Sequence, residues 1–182
     1  MMTTYVSLLR GINVSGQKKV KMTDLKMLYE SLGLQNVVTY IQSGNVIFKS
    51  DKEADILKVF LEQAIEQHYS FQVPVKVISE DEFLMIKTHI PFSNINVELD
   101  GAKVLITFLS ASPKVELADK LMTYIQAPEK LIINDKIIFL HCPNGYGKTK
   151  LSNNFIENKL KVSATTRNLK TLIKLSALTL AQ

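Results

Sequence analysis

The chain has 182 residues, of which 46% are hydrophobic and 21% charged, and its 22 Lys and Arg outnumber its 17 Asp and Glu. This composition is typical of a folded globular protein with one good core or two small ones, and it excludes an intrinsically disordered chain. No stretch approaches the roughly 18 uninterrupted apolar residues that a membrane-spanning helix needs, so we expect no membrane partner.

Two features of the sequence point to the cytoplasm. Residues 1–6 have neither the basic region nor the long apolar region of an export signal, so we expect none. The single cysteine, Cys142, rules out an internal disulfide and suits a reducing compartment. The sequence therefore predicts a cytoplasmic protein.

Positive charge is concentrated at the end of the chain. Residues 136–182 carry eight basic side chains and one acidic side chain, net +7, whereas residues 51–100 carry four basic and ten acidic, net −6. The only two arginines are Arg10 and Arg167. Arginine binds a carboxylate or a phosphate better than lysine does, because its guanidinium can donate two parallel hydrogen bonds. The charge favours an anionic partner, although a chain rich in lysine can also be short of arginine for no functional reason.

The first half of the chain shows the pattern of six elements. Apolar runs predict strands at residues 5–9, 37–41, 46–48 and 73–78, and helical spacing predicts helices through Leu25–Leu32 and Ile56–Ala64. Thr23 is the expected cap of the first helix, and Ser50 with Glu53 forms a capping box for the second. The order β-α-β-β-α-β is the ferredoxin-like order, and we assign residues 1–79 to this subdomain.

The second half repeats most of that order. Strands are predicted at residues 103–109, 131–133 and 137–140, and helices after Ser79, after Ser112 and through Leu151–Leu160, with a last helix from near Thr166. The fold class is therefore α+β, with two ferredoxin-like subdomains, the second being β-α-β-β-α with an extra C-terminal helix. No linker rich in glycine, serine or proline separates the halves, so we expect residues 80–182 to pack on the first subdomain.

The segment from Cys142 to Thr149 resembles a phosphate-binding P-loop because it ends in Gly-Lys-Thr ahead of a predicted helix. The first glycine of a P-loop would fall on Cys142, and the preceding strand belongs to a hairpin instead of a parallel sheet. Nucleotide hydrolysis is therefore disfavoured. Two readings stay open: amides at a helix start that hold an anion with Lys148 and Lys150 beside them, or a helix cap with solvated lysines.

Thr165-Thr166-Arg167-Asn168 is predicted to begin the last helix. A positive charge in the first helical turn opposes the helix dipole unless an anion neutralises it. Arg167, Lys170 and Lys174 would then share one helical face. Arg167 is expected to bind either a ligand or the acidic middle segment of the chain.

Two polar segments of the first half are also candidates. Arg10 to Asn13 ends the first strand beside Lys18, Lys19 and Lys21, and Gln42 to Asn45 joins the second and third strands. Such residues are common in turns that bind nothing, and that alternative stays open.

Three other chemistries are disfavoured. An RNA-recognition domain stacks bases on aromatic rings of its first and third strands. Tyr5 could serve on strand one, but on strand three the outward positions are Asn45 and Ile47, with Phe48 facing the core. The histidines stand alone, without the spacing of metal ligands, and Cys142 has a structural role. We therefore predict no catalytic residue, no metal and no cofactor.

Five segments together resemble a bacterial family. They are Leu8–Val14, Lys19–Met22, Tyr40–Val46, Gly145–Leu151 and Ala164–Asn168. The family is the one catalogued as domain of unknown function sixteen ninety-seven. The resemblance implies an α+β fold of two ferredoxin-like subdomains and no established activity. Family members often carry tryptophan after the Arg-Asn pair, whereas Leu169 stands there in this chain.

Both arginines, Lys19, Lys21, Lys148, Lys150 and the polar turn all lie within these five segments, which favours one shared polar site. The candidate ligand-binding residues are Arg10, Asn13, Lys19, Lys21, Gln42, Ser43, Asn45, Lys148, Lys150, Thr166, Arg167 and Asn168. We expect a non-enzymatic binding module for a phosphate-bearing small molecule or a nucleic-acid backbone. The alternatives are a small enzyme acting on a phosphorylated metabolite and a protein-interaction scaffold, and the sequence leaves the oligomeric state open.

Overall fold

A computed structural model describes residues 2–181 of the chain. The chain forms two compact units. The first unit runs to Thr88 and takes in the chain from Leu175 onward, and the second spans His89–Lys174. Within the described part of the chain, no helix is both long enough and apolar enough to cross a membrane.

The first unit has the predicted β-α-β-β-α-β order. Its elements are β1 (Thr3–Leu9), α1 (Met22–Ser31), β2 (Gln35–Tyr40), β3 (Asn45–Ser50), α2 (Ala54–Tyr69), β4 (Val75–Ser79) and α3 (Glu80–Thr88). The strands form an antiparallel sheet in the order β2-β3-β1-β4. Both helix caps differ from the expected ones, since Lys21 and Glu53 occupy the N-cap positions of α1 and α2.

The core of the first unit lies between this sheet and helices α1 and α2. Alternate residues of each strand point to that face, and they pack on apolar side chains of the helices such as Leu25, Leu57 and Leu61. Tyr5 is directly opposite Phe48 in the sheet and stacks near it, with ring centroids 5.9 Å apart. Only 5% of Tyr5 is exposed. The expectation that Tyr5 could stack a base on strand one is therefore wrong, because its ring belongs to the core.

The second unit has the same order as the first. It contains α4 (Val97–Asp100), β5 (Val104–Leu109), α5 (Val115–Met122), β6 (Lys130–Asn134), β7 (Ile137–His141), α6 (Asn153–Leu160) and β8 (Ala164–Asn168), and α7 (Leu169–Thr179) begins within it. Its antiparallel sheet has the order β6-β7-β5-β8, which matches β2-β3-β1-β4 element for element. The protein is thus α+β, with two similar subdomains.

The expected second half lacked its last strand. The sequence predicts that residues 164–168 form the connection to the last helix and its start, but they form β8, every residue of which pairs with β5. Two threonines favour this strand because β-branched side chains fit a pleated sheet. Helix α7 starts only at Leu169, so Arg167 is not in a helix and shares no helical face with Lys170 and Lys174.

Helix α3 was assigned to the second half, which was expected to begin at residue 80. In the structure α3 contacts β1 and β4 and buries Phe83 and Ile86. These contacts place it in the first unit, and the chain passes to the second unit only after Thr88.

Candidate functional site

The loop of residues 11–21 connects β1 to α1 and is called the basic loop below. Its three lysines, Lys18, Lys19 and Lys21, are all exposed. The Lys18 ammonium donates a hydrogen bond to the Gln72 carbonyl at 2.7 Å. Lys19 and Lys21 form none of the ion pairs found among residues 2–181. Two ammonium groups of this loop are therefore available to an anion.

The side chain of Asn13 holds the basic loop in place. Its amide nitrogen donates to the carbonyls of Val20 at 2.9 Å and Gln42 at 2.8 Å, and its amide oxygen accepts from the Val20 N–H at 2.9 Å. Asn13 has a φ of +56°, a conformation that asparagine tolerates better than most residues. Asn13 therefore ties the ends of the loop together and attaches the loop to the β2–β3 turn.

The β2–β3 turn is the second part of this surface, and Gly44 brings it close to the loop. The Gly44 carbonyl accepts a hydrogen bond from the Leu9 N–H at 2.8 Å. A Cβ atom at Gly44 would lie 2.6 Å from Ile12 Cδ1 and 2.8 Å from Leu9 Cβ. The residue also has a φ of +76°, so both the space and the backbone require glycine here.

The other polar residues of this turn stabilise it from within. Asn45 is fully buried, and its amide donates to the Tyr40 carbonyl at 2.9 Å and to the Ser43 hydroxyl at 3.0 Å. Gln42 is exposed and contributes its backbone carbonyl to Asn13. The structure thus brings the predicted residues Asn13, Gln42, Ser43 and Asn45 together, but mainly through bonds among themselves.

Arg10 lies at the start of this surface, directly after β1. It is partly buried, and its N–H donates to the Pro74 carbonyl at 3.0 Å. This bond continues the pairing of β1 toward β4, so the backbone of Arg10 extends the sheet.

The second unit has its long polar loop elsewhere, at residues 142–152 between β7 and α6. Lys148 and Lys150 are exposed on this loop. They were expected beside a helix start, but α6 begins only at Asn153, where Ser152 caps it by accepting from the Phe155 N–H. Lys148 ends a short 3-10 turn, Tyr146–Lys148. Both lysines therefore precede the N-cap of α6 and lie outside its first turn.

A polar network connects this loop to α6 and β8, and most of its members have no distinctive pattern in the sequence. Asn153 donates its backbone N–H to the Tyr146 hydroxyl at 3.0 Å and its side-chain amide to the Ala164 carbonyl at 3.0 Å. Thr166 donates to the Asn153 side-chain oxygen at 2.8 Å and shares a hydrogen bond with Thr107, also 2.8 Å. Burial raises the pKa of Tyr146, so its hydroxyl stays protonated.

Arg167 points to the opposite face of the sheet from Thr166, since neighbours on a strand alternate. Thr166 pairs with Thr107 on the face covered by α5 and α6, while Arg167 pairs with Ile106. The Arg167 guanidinium donates to the Thr166 carbonyl at 2.9 Å. Its withdrawal from water lowers its pKa, although arginine remains charged at neutral pH. Arg167 therefore does not share a face with the Thr166 network of the 142–152 loop.

Asn168 has a structural role at the end of β8. Its side-chain oxygen accepts from the Thr171 N–H at 2.9 Å, which is the geometry of a helix cap. Asn168 therefore starts α7 and does not face a ligand with that oxygen.

Cys142 is buried at the end of β7, and burial raises the pKa of its thiol to about 11. The thiol is therefore protonated at neutral pH and is a poor nucleophile. Among residues 2–181, no group of three or more His, Cys, Asp or Glu side chains is placed to hold a metal ion.

Two similar α+β subdomains, each with a four-stranded antiparallel sheet, define the class of this protein. A family model described as a protein of unknown function (DUF1697) matches residues 2–139, and the chain belongs to that family. The first three segments of the resemblance lie within the matched span, and the last two lie beyond it.

One solved structure is similar over almost the whole chain. It is that of the conserved bacterial protein SP0830 from Streptococcus pneumoniae, with 28% sequence identity and a TM-score of 0.78. The match covers 98% of this chain and 99% of that one. No curated protein matches the chain.

Proposed function

We propose that this protein is a non-enzymatic binding module that holds a phosphate-bearing ligand, such as a nucleic-acid backbone, on the basic loop of its first unit. The observation that supports this most is the exposure of Lys19 and Lys21 on a loop that Asn13 fixes at both ends. The chain contains no acidic residue before Asp24. Residues 11–21 therefore carry only positive charge, and the first carboxylate along the chain is that of Asp24 in the first turn of α1.

The fixed backbone favours binding because a preorganised loop loses little conformational freedom when a ligand arrives. Lysine ammonium groups contact phosphates as point charges and read no base sequence. The burial of Tyr5 in the core removes the base-stacking platform on strand one. The proposed binding is thus independent of sequence and sensitive to salt.

Fluorescence anisotropy of a labelled oligothymidine tests this proposal. We expect binding at low salt that weakens as salt rises. We expect the double variant Lys19→Ala/Lys21→Ala to weaken binding about tenfold, because each lost phosphate contact reduces both the affinity and the salt slope. Inorganic pyrophosphate as competitor separates recognition of phosphate groups from recognition of an extended backbone.

The matched control is Lys114→Ala/Lys136→Ala, which removes two exposed lysines of the second unit and changes the net charge equally. This control should weaken binding less than about twofold if only long-range charge is lost. No binding at low salt, or equal weakening in the two double variants, contradicts the proposal.

A further inference from the structure

The second unit contains a cleft of about 300 Å³ beside the end of β7. The segment before α4 forms one side of it, and β6 and β7 form the other. Its volume lies at the lower end of the range of about 300–1,000 Å³ that is usual for small-molecule sites. The cleft belongs to a different unit from the basic loop and is lined by different chemistry.

Both sides of the cleft contribute apolar or aromatic residues. The ring of Phe92 lies 5.7 Å from the ring of His141, centroid to centroid, with a tilt of 43°. Ile95 and Ile132 line the same cleft, and Ile132 is 39% exposed. A flat apolar group gains the most contact from such walls, because aromatic rings pack on one another at offset or tilted angles.

The β6–β7 side of the cleft also carries polar groups and one available positive charge. Lys130 is directly opposite His141 in the β6–β7 pair, so the two side chains lie on the same face of the sheet. The Asp100 carboxylate also lines the cleft but accepts from the Lys103 ammonium at 3.0 Å. Lys130 forms none of the ion pairs found between residues 2 and 181.

His141 can bond a ligand in its neutral form. Burial lowers the pKa of His141, so its imidazole is uncharged at neutral pH and offers one N–H donor and one acceptor. Among the polar groups of the cleft, which include Ser93 and Asn94, the Lys130 ammonium and the His141 N–H are two neighbouring donors suited to a single carboxylate.

We propose that this cleft binds a small aromatic carboxylate, with its ring against Phe92 and Ile132 and its carboxylate on Lys130 and His141. The ring fits the apolar walls, and the single negative charge matches the single available lysine. This site would act independently of the basic loop, so the ligand is a second ligand and not part of the phosphate-bearing one.

Protein NMR with benzoate as the probe tests the proposal on the full chain. We expect saturable shifts of the His141 ring protons and the Ile132 methyl groups. Lys130→Ala should weaken benzoate binding about fivefold, as for loss of a partly exposed ion pair. Ile132→Ala should weaken it about threefold through lost apolar contact. Both substituted residues are exposed, so both variants should fold.

Lys136→Ala is the matched control, since Lys136 is an exposed lysine at the β6–β7 turn and does not line the cleft. It should leave benzoate binding unchanged, and benzyl alcohol, which lacks the charge, should bind more weakly than benzoate. Shifts that do not saturate, equal weakening by Lys130→Ala and Lys136→Ala, or equal binding of benzyl alcohol would each overturn the proposal. Failure of oligothymidine to bind would leave this result unaffected.

Discussion

In the first unit the long polar loop follows the first strand, at residues 10–21, and the third strand reaches its helix through residues 51–53. In the second unit the lengths are reversed: residues 110–114 follow β5, and the long loop 142–152 follows β7. Adjacent antiparallel strands end at opposite edges of the sheet. The two long loops therefore leave equivalent sheets at opposite ends.

This difference shows that the shared arrangement of strands and helices does not decide at which end of the sheet the long polar loop lies. The backbone bonds around the first strand are equivalent in the two units: Leu9 N–H to Gly44 O and Leu109 N–H to Lys136 O are both 2.8 Å. What differs is the length of the connection that follows this strand, which spans residues 10–21 in the first unit and residues 110–114 in the second. Function is often carried by loops on a common scaffold, and the two units carry their long polar loops at different positions.

The largest effect we predict comes from the residue that the basic loop requires. Gly44 and Lys136 occupy equivalent positions, since the carbonyl of each accepts a hydrogen bond from the last residue of the first strand of its unit. Gly44, however, packs closely against Ile12 of the basic loop. Gly44→Ala should lower the free energy of unfolding by about 3 kcal/mol, because it adds both a positive-φ penalty and overpacking. Urea denaturation of the two proteins measures this loss.

Gly33→Ala is the control for the backbone contribution alone. Gly33 has a φ of +81° and nothing within 4 Å of the position of its Cβ atom. We expect it to cost about 1 kcal/mol. If both variants lose the same free energy of unfolding, then the close contact of residue 44 with Ile12 and Leu9 adds nothing. The difference drawn between the equivalent positions Gly44 and Lys136 would then be wrong.

A second prediction concerns the side chain that fixes each loop. Asn13→Ala removes the bonds to Val20 and Gln42 and should cost about 2 kcal/mol, whereas Tyr146→Phe removes the hydroxyl that accepts from the Asn153 N–H and should cost about 1 kcal/mol. Hydrogen exchange should speed up in residues 11–20 for the first variant and in residues 142–152 for the second. Exchange that speeds up equally in both loops in either variant would contradict the independence of the two loops.

The smallest effect comes from the buried hydroxyl on the central strand of each unit. Ser7 bonds the Tyr29 hydroxyl at 3.0 Å, and Thr107, at the equivalent position of β5, bonds Thr166. Tyr29→Phe and Thr107→Val should each cost about 1 kcal/mol, the usual value of one neutral hydrogen bond. Thermal unfolding of each variant measures it, and a gain in stability in either variant would show that the bond contributes nothing.

Most of the fold could be predicted from the sequence because most elements have strong apolar periodicity. Strand β5 is an almost continuous apolar run in which every residue is buried, and helix α2 buries Leu57, Leu61 and Ile65 at helical spacing. Strand β8 could not be predicted, since Ala-Thr-Thr-Arg-Asn has no apolar run and its pairing with β5 depends on distant residues. The helix caps also differ from the predicted ones, because the residue at which a helix begins depends on its packing as well as on the local sequence.

Less of the candidate site could be predicted. The proximity of Asn13 to the β2–β3 turn was visible as two polar segments at strand ends, and the structure joins them by one bond of 2.8 Å. The error at Arg167 followed from the missed strand, since a strand alternates faces where a helix would group its charges. The network of Tyr146 and Asn153 gave no sequence signal strong enough to separate it from an ordinary turn.

The location of the bound anion tests the proposed function most directly. A titration of ¹⁵N-labelled protein with oligothymidine at low salt maps it by chemical shift. We predict that the shifts cluster in residues 11–21 and 41–44 and that Lys148→Ala/Lys150→Ala leaves them unchanged. Shifts that cluster in residues 142–152, or no shifts at all, would contradict the assignment of anion binding to the basic loop.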